Sequence, residues 1–387
     1  MSLSLLARQL SESATLKLNA TAAQLRGEGA PVIHLGGGEP ESKVPPGAIK
    51  AATELVQSGE VRYTPASGTR EIKDAIVHYT GRYYDYEVGR ENVMAAAGAK
   101  QALMNCLLAI LDPGDEVIVP RPYWVSYPDM VALARGVTRF VLPDPRTLEP
   151  RIGDIEALVT DRTKAIIFNS PNNPSGGVYS AELVRAVVEL CEERGIYLLL
   201  DDIYHRLLFD GRLPVSCYRY ARKHGDESRI VVINGVSKSY AMTGFRLGWA
   251  VAAKHLTKIM SNVQGHMTSG PSTVSQAAAA AAIRGDQGSV DELARGLEGR
   301  RDRLLHELGS LPGLEVNKPG GAFYCFADLR AFDSDSRRLA AFLLDKALVV
   351  TVPGFEFGME GHLRLSFCGK LEDIVEGAQR IRRALTP

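Results

Sequence analysis

The sequence predicts an α/β protein in which helices flank a mostly parallel sheet, with a smaller α+β region after it. From about residue 91 to residue 251, short β-branched runs alternate with longer helical stretches. This alternation is typical of a twisted parallel sheet with helices on its faces. Beyond about residue 286 the pattern changes to a charged helix, alternating strands and a last helix. The chain of 387 residues is long enough for two domains.

Apolar runs and turn formers place the elements of the first region. The predicted strands are 92–97, Glu116–Pro120, 164–169, 196–202, 230–234 and 247–252. The predicted helices between them include 100–111 and 180–194. In such sheets ligands bind beyond the carboxyl ends of the strands. Because Asn169, Asp201 and Lys238 stand at or just after three of these ends, we expect them to share one site.

The other elements belong to the two ends of the chain. Towards the C-terminus we predict a charged helix, two strands and a final helix at 290–311, 321–327, 362–367 and from Leu371. Towards the N-terminus we predict a helix at 14–26 and an extended segment at 32–35, and we expect both to pack on the smaller domain. The predicted division is an N-terminal arm with part of the small domain, a large α/β domain and a small α+β domain, at 1–45, 46–285 and 286–387.

Composition argues against several classes of protein. The 45 Lys and Arg residues balance 45 Asp and Glu residues, so no net charge favours nucleic acid or an anionic membrane. The apolar runs are short, and the N-terminus lacks the basic start and long apolar core of a signal peptide. Five dispersed cysteines without a CxxC pair argue against a zinc site or a disulfide framework. We expect a cytoplasmic protein without a metal.

Lys238 lies in the segment of the sequence that holds the most candidate catalytic and phosphate-binding groups. Ser237 and Ser239 flank it, and Arg246 follows eight residues later. A lysine that forms a Schiff base must lose its proton near neutral pH, and a desolvated site or a cationic neighbour favours that loss. The hydroxyls and Arg246 could hold a phosphate nearby. Taken alone, the segment also fits an ordinary surface lysine.

Asp201 follows an apolar run that is typical of a buried strand. A carboxylate at the end of such a strand is costly to bury unless it is paired. A protonated pyridine nitrogen would be a good partner, and Tyr204, three residues on, could reach a hydroxyl of the same ring. The alternative is that Asp201 caps a following helix.

Further candidates lie in loops and in one strand. The turn-rich segment 169–177 could hold Asn173 rigidly, and small residues at 98–99 open a helix where backbone amides can approach a phosphate. Trp124 could stack on a planar cofactor, and Arg364 could bind a carboxylate through its two-pronged donor face. Each also has a purely structural explanation, as a turn, a helix start, a core aromatic or a salt bridge. With no Walker lysine motif and no GxGxxG, a nucleotide is not the natural ligand.

Taken together, these motifs resemble the class I/II aminotransferases of the fold-type I pyridoxal-phosphate enzymes, and among them the bacterial and archaeal aspartate aminotransferase subgroup. The resemblance extends from Ser13 to Arg364. It rests on Gly38-Glu39-Pro40, Tyr63-Thr64-Pro65 with Gly68, Gly98-Ala99-Lys100-Gln101, Tyr123-Trp124-Val125-Ser126-Tyr127, Asn172-Asn173-Pro174, Asp201-Asp202-Ile203-Tyr204, Ser237-Lys238 with Arg246, and Arg364-Leu365-Ser366.

The resemblance implies pyridoxal 5′-phosphate as the cofactor and a role for each matching residue. Lys238 would hold the cofactor covalently and move the substrate proton, and Asp201 would pair with the ring nitrogen. The other implied cofactor contacts are Tyr63 from a second subunit, Gly98, Ala99, Lys100, Trp124, Asn173, Tyr204, Ser237 and Arg246. The implied substrate contacts are Ser13, Thr15, Gly38, Lys100, Trp124, Asn173 and Arg364.

The resemblance also implies a homodimer that moves the amino group of an L-amino acid to a 2-oxo acid such as 2-oxoglutarate by a ping-pong route. Lys100, Ser13 and Thr15 match residues that face the distal carboxylate in similar aspartate-specific enzymes. Because 11–12 and 266–267 depart from the familiar pattern, an aromatic or other non-acidic substrate stays an alternative to aspartate and glutamate.

Two further function classes are alternatives to a transaminase. A fold-type I lyase or synthase shares the lysine, the aspartate and the arginine, and the sequence separates it poorly from a transaminase. A non-enzymatic regulator with the same body would need a DNA-binding domain, for which about 10 residues before Ser11 are too few.

Overall fold

The computed structural model describes residues 4, 8, 14–309 and 311–386. The strands are β1 (Ile33–His34), β2 (Val93–Ala96), β3 (Glu116–Pro120), β4 (Val137–Val141), β5 (Thr163–Asn169), β6 (Tyr197–Asp201), β7 (Ile230–Gly235), β8 (Gly248–Val251), β9 (Glu315–Val316), β10 (Tyr324–Asp328), β11 (Val349–Val350), β12 (Val352–Pro353) and β13 (His362–Ser366).

The helices are α1 (Ala14–Gly27), α2 (Pro46–Ser58), α3 (Arg70–Tyr84), α4 (Ala99–Ile110), α5 (Tyr127–Leu133), α6 (Ile152–Glu156), α7 (Ala181–Arg194), α8 (Lys254–Met267), α9 (Thr273–Arg284), α10 (Gly288–Leu308), α11 (Ser336–Ala347) and α12 (Leu371–Leu385). Short 3₁₀ turns occur at Arg90–Asn92, Cys217–Tyr220, Gly225–Glu227, Thr243–Phe245 and Gly354–Phe357.

The largest sheet has seven strands in the order β2-β8-β7-β6-β5-β3-β4. From β4 to β7 every pair is parallel. Strand β8 runs antiparallel to both of its neighbours, β7 and β2. The predicted fold, a mostly parallel sheet flanked by helices, is confirmed.

The central strands are buried on both faces because helices cover both. In β5, Ala165 and Ile167 face one apolar cluster, while Ile166 and Phe168 face the other. Side chains alternate along a strand, so two opposite clusters need apolar residues at every position. This is why the strand reads as a continuous apolar run.

Helix α7 shows how local sequence sets the helix limits. At its start the hydroxyl of Ser180 accepts a hydrogen bond from the backbone N–H of Leu183, which satisfies one of the free donors of the first turn. At its end Gly195 adopts a left-handed conformation with φ of 69°, which glycine takes without steric strain. The predicted helix 180–194 therefore lies within one residue of the observed one.

The C-terminal part contains a four-stranded antiparallel sheet in the order β12-β13-β10-β9. Its core includes Leu297 of α10, Leu343 of α11 and Leu363 of β13. Strand β1 pairs in parallel with β11, so the segment before residue 45 packs on the C-terminal part. The division of the chain into domains at 45 and 285 stays a prediction.

Within the described ranges, no helix is long and apolar enough to cross a membrane. The same residues contain no group of three or more His, Cys, Asp or Glu that could hold a metal ion. The five cysteines are buried free thiols.

Candidate active site

A cavity of about 290 Å³ opens at the carboxyl edge of the large sheet. Asn169 and Asp201, the last residues of β5 and β6, are directly paired across these parallel strands, and Lys238 follows the end of β7. The cavity is lined by Gly38, Ala99, Lys100, Leu103, Trp124, Val125, Ser126, Asn169, Asn173, Asp201, Ile203, Tyr204, Ser237, Lys238, Thr243, Arg246, Tyr324 and Arg364.

Lys238 reaches this cavity from the loop after β7. Its Nζ donates a hydrogen bond of 2.6 Å to the carbonyl oxygen of Gly38. Burial lowers the pKa of Lys238 to about 8, and the positive charges of Arg246 and Arg364 act in the same direction. A larger fraction of the Lys238 amine is therefore neutral near pH 7 than in an exposed lysine. A nucleophile or a base requires this neutral form.

Asp201 is 8% exposed and offers one unpaired oxygen. Its Oδ2 accepts a 2.6 Å hydrogen bond from the hydroxyl of Tyr127. Its Oδ1 is buried and has no hydrogen-bond partner among the described residues. Burial raises the pKa of Asp201 to about 6, against the lowering effects of the Tyr127 hydroxyl, the backbone N–H of Ile203 and the charge of Lys238. A buried acceptor of this kind is costly unless a ligand donor satisfies it.

Arg364 forms a cationic part of the cavity wall. It is 2% exposed and lies over the ring of Tyr324, at 4.4 Å from the ring centre. Its guanidinium donates to Oδ1 of Asn173 at 2.8 Å and to the carbonyl oxygen of Gly36 at 2.9 Å. Among the described residues none accepts from its Nε. A guanidinium held by neutral partners keeps its charge available for a carboxylate ligand.

The first turn of α4 forms a cradle suited to an anion. Gly98 precedes it with φ of 95°, and a Cβ there would lie 2.8 Å from a terminal nitrogen of Arg246. The first backbone N–H groups of a helix have no acceptor within the helix, and they attract negative charge. Because Ala99, Ser237 and Arg246 line the same cavity, the cradle combines amide, hydroxyl and guanidinium donors.

Lys100 and Trp124 lie together at another part of the cavity wall. The Nζ of Lys100 is 4.7 Å from the centre of the Trp124 ring and donates to the Ser126 hydroxyl at 3.2 Å. Partial burial lowers the pKa of Lys100, and the charge of Arg246 adds to this effect. The ammonium has three N–H donors, so it keeps donors for a ligand.

The structure adds residues to which sequence reasoning gave no role. The hydroxyls of Tyr204 and Tyr324 are 3.2 Å apart, Tyr127 contacts Asp201, and Ser126 contacts Lys100. Thr243 donates to a carboxylate oxygen of Glu39. Ser126 and Tyr127 belong to the same sequence motif as Trp124. Their hydroxyl groups, so close to a candidate cofactor contact, could have identified them as site residues. Tyr324 had no local signal, because its position depends on the pairing of β10 with β13.

Some predicted site residues are not brought to this cavity. Tyr63 is 97% exposed and lies outside the lining. Gly98 stands just before the lining residue Ala99. Ser13 lies outside the described residues, as do 11–12, and of Thr15 the structure describes only its place in α1. His266 is exposed near the end of α8.

Fold and site together define an α/β enzyme in which a lysine, a buried carboxylate and a buried arginine surround one ligand cavity. The family described as aminotransferase class I and II matches residues 30–381. The chain belongs to this family. Family membership and amino-group transfer, both predicted from the sequence, are therefore confirmed.

Individual relatives resemble the chain over nearly its whole length. An aspartate aminotransferase of Streptomyces avermitilis is 40% identical, over 97% of this chain and 95% of that protein. A probable aspartate/prephenate aminotransferase of Aquifex aeolicus is 36% identical, over 97% of this chain and 96% of that protein. The structure of Thermus thermophilus aspartate aminotransferase with maleate superposes with a TM-score of 0.95 at 37% identity, over 100% of both chains.

Proposed function

We propose that this aminotransferase uses pyridoxal 5′-phosphate to move the amino group of aspartate or glutamate to a 2-oxo acid such as 2-oxoglutarate, in a ping-pong cycle. The observation that carries the proposal is one cavity lined by Lys238, Asp201 and Arg364. Among the described residues Oδ1 of Asp201 has no hydrogen-bond partner. The relatives named above support the choice of an acidic substrate.

The residues present fit this cofactor. Oδ1 of Asp201 is a buried acceptor that a protonated pyridine nitrogen would satisfy. The cradle at the start of α4, with Ser237 and Arg246, suits a phosphate group. Trp124 offers an aromatic face, and Tyr204 and Asn173 offer polar groups for the ring oxygen. When bound, pyridoxal phosphate supplies an electron sink for negative charge at the substrate Cα.

The chain's own residues would then perform three tasks. Lys238 would hold the cofactor covalently and, once released by the substrate, take the proton from the substrate Cα. A pKa lowered to about 8 by burial allows its amine to be neutral for this task. Arg364 and Asn173 would bind the α-carboxylate and orient the Cα–H bond. Asp201 would hold a proton on the ring nitrogen.

The distal end of the substrate would meet Lys100. Its ammonium retains donors beside Ser126 and Trp124. A distal carboxylate would accept a charge-assisted hydrogen bond there, whereas a methyl or phenyl group would leave the ammonium unpaired. Ser13 and Thr15 belong to the proposed substrate contacts on the sequence resemblance alone.

We further infer a cytoplasmic homodimer with composite sites. A tyrosine that is 97% exposed in one chain, as Tyr63 is, suits a place in a partner's cavity. Mixing inactive Lys238→Ala subunits with inactive Tyr63→Ala subunits tests this. If Tyr63 crosses over, one site in each mixed dimer is intact and activity returns to roughly a quarter of the wild-type value. No recovery in proven mixed dimers would place Tyr63 in its own subunit's site.

A single half-reaction tests the proposed activity. Loaded protein is mixed with L-aspartate without an acceptor, and the extracted cofactor is analysed beside the released acid. Transfer predicts pyridoxamine 5′-phosphate and oxaloacetate in equal amounts, one per site. Repeated turnover with unchanged cofactor would indicate a lyase. Parallel runs with glutamate, alanine and phenylalanine establish the preference, and a faster half-reaction with phenylalanine would favour the non-acidic alternative.

A further inference from the structure

Tyr127 connects two walls of the active site although it does not line the cavity. Its hydroxyl donates to Oδ2 of Asp201 at 2.6 Å. Its ring meets the Trp124 ring edge-on, with 5.3 Å between ring centres. The proposed cofactor would lie against both of these residues. Tyr127 therefore contacts, from outside the cavity, both Asp201 and Trp124, the two residues that would hold the cofactor ring.

The position of Tyr127 is fixed by its local structure. It is the first residue of α5, and its backbone N–H donates to the carbonyl oxygen of Trp124 at 3.0 Å. The side chain is 2% exposed and packs in the apolar cluster that contains Leu103 and Val131. A tyrosine held at its backbone and ring has little freedom to turn its hydroxyl away from Asp201.

We propose that Tyr127 is a positioning residue for the reaction: its hydroxyl occupies Oδ2 of Asp201, leaves Oδ1 for the cofactor's ring nitrogen, and keeps the shared proton on that nitrogen. This inference rests on the proposed function, because it needs a ring nitrogen at Oδ1. It concerns the location of one proton, which decides how strongly the ring withdraws electrons.

The direction of the effect follows from the hydrogen bond. An O–H group that donates to a carboxylate stabilises its ionised form. Burial acts in the opposite direction and raises the pKa of Asp201 to about 6, so the Tyr127 bond offsets part of that effect. Without it Asp201 becomes a stronger base and competes better for the proton on the ring nitrogen. The other charged or titratable groups near this carboxylate are Lys238, Asp202 and Tyr204.

Asp202, which follows Asp201 in the chain, and its partner Tyr84 provide a matched control. Tyr84 donates to Oδ2 of Asp202 at 3.1 Å, and both residues are buried. Asp202 does not belong to the described lining of the cavity. Tyr84→Phe therefore removes the same kind of bond from the neighbouring aspartate, with the same loss of one hydroxyl from a buried ring.

The first measurement uses the protein without cofactor. Aspartate carboxyl carbons are labelled with ¹³C, the Asp201 signal is assigned from Asp201→Asn, and its titration is followed by NMR. In Tyr127→Phe we expect a proton affinity of Asp201 about 10-fold higher than in the wild type, which is one pH unit. In Tyr84→Phe the Asp201 midpoint should stay within a few tenths of a unit, or move slightly down.

The second measurement uses protein loaded with pyridoxal phosphate whose ring nitrogen is ¹⁵N. The wild type should show a protonated nitrogen, and Tyr127→Phe a signal moved towards neutral pyridine. If Tyr127→Phe does not fold, 3-fluorotyrosine can be placed at position 127 instead. It keeps the ring but has a more acidic hydroxyl, which donates a stronger hydrogen bond, so the titration midpoint of Asp201 should move to lower pH.

Unchanged Asp201 titration in Tyr127→Phe, or an equal change in Tyr84→Phe, would overturn the inference. A shifted titration with an unmoved nitrogen signal would overturn its claim about the ring proton. Failure of the labelled cofactor to bind the wild type would overturn the proposed function, and this inference with it. In that case the titration without cofactor would still report whether Tyr127 acts on Asp201.

Discussion

Replacing Lys100 by methionine tests how the protein recognises an acidic substrate. Methionine keeps an apolar stem against Trp124 but removes the ammonium that lies 4.7 Å from that ring and 3.2 Å from Ser126. A hydrogen bond to a charged group contributes about 1.5–3 kcal/mol, and about 1.4 kcal/mol corresponds to tenfold in rate or affinity. Because Lys100 is partly exposed, water screens the contact. We therefore expect kcat/KM for aspartate to fall about 10- to 50-fold.

The assay is the isolated first half-reaction, followed by rapid-mixing absorbance, because a dicarboxylic acceptor would also contact Lys100. Phenylalanine serves as the internal control, and its rate constant should stay within about threefold of the wild type. Lys100→Arg keeps a cation and should retain most of the preference for aspartate. An equal loss for both amino acids, or no loss for either, would refute the assignment of Lys100 to the distal carboxylate.

Three other predictions concern the fold and the cavity. A Cβ on Gly248 would overlap the backbone of 98–99. Gly248→Ala should therefore lower the free energy of unfolding, measured by urea titration, by about 2–3 kcal/mol. The control Gly81→Ala, on an open helix face, should not lower it. The rate at which Lys238 captures pyridoxal phosphate should rise with pH to a midpoint near 8, where burial has lowered its pKa, rather than near 10.5; a midpoint near 10.5 would contradict the burial effect. Arg364→Lys should raise KM for every amino donor about 10-fold or more, since one paired donor is lost, and an effect confined to acidic donors would move the α-carboxylate elsewhere.

The sheet and the centre of the site could be predicted because both depend on local sequence. Parallel strands place their carboxyl ends at one edge, so three strand ends in the sequence predict that Asn169, Asp201 and Lys238 meet. Strand β4 was not predicted. It lies at the edge of the sheet and its exposure alternates along Val137–Val141, so it lacks the continuous apolar run by which the central strands were found.

Contacts between distant segments could not be predicted in this way. The carbonyl oxygen that accepts from Lys238 belongs to Gly38, which is 200 residues away. Tyr324 reaches the cavity through the pairing of β10 with β13, and nothing near it in the sequence indicates that pairing. The hydroxyl of Tyr127 meets Asp201 across 74 residues. Periodicity locates elements, but these contacts depend on how the elements pack in three dimensions.

The proposed function depends above all on Lys238, which would hold pyridoxal phosphate in the cavity that also contains Asp201 and Arg364. Borohydride reduction of the loaded protein, followed by peptide mapping, tests it most directly because the reduced bond is permanent. We expect one pyridoxyl group per chain, on Nζ of Lys238, and none in Lys238→Ala. A pyridoxyl group found mainly on Lys100 or on another lysine would contradict it.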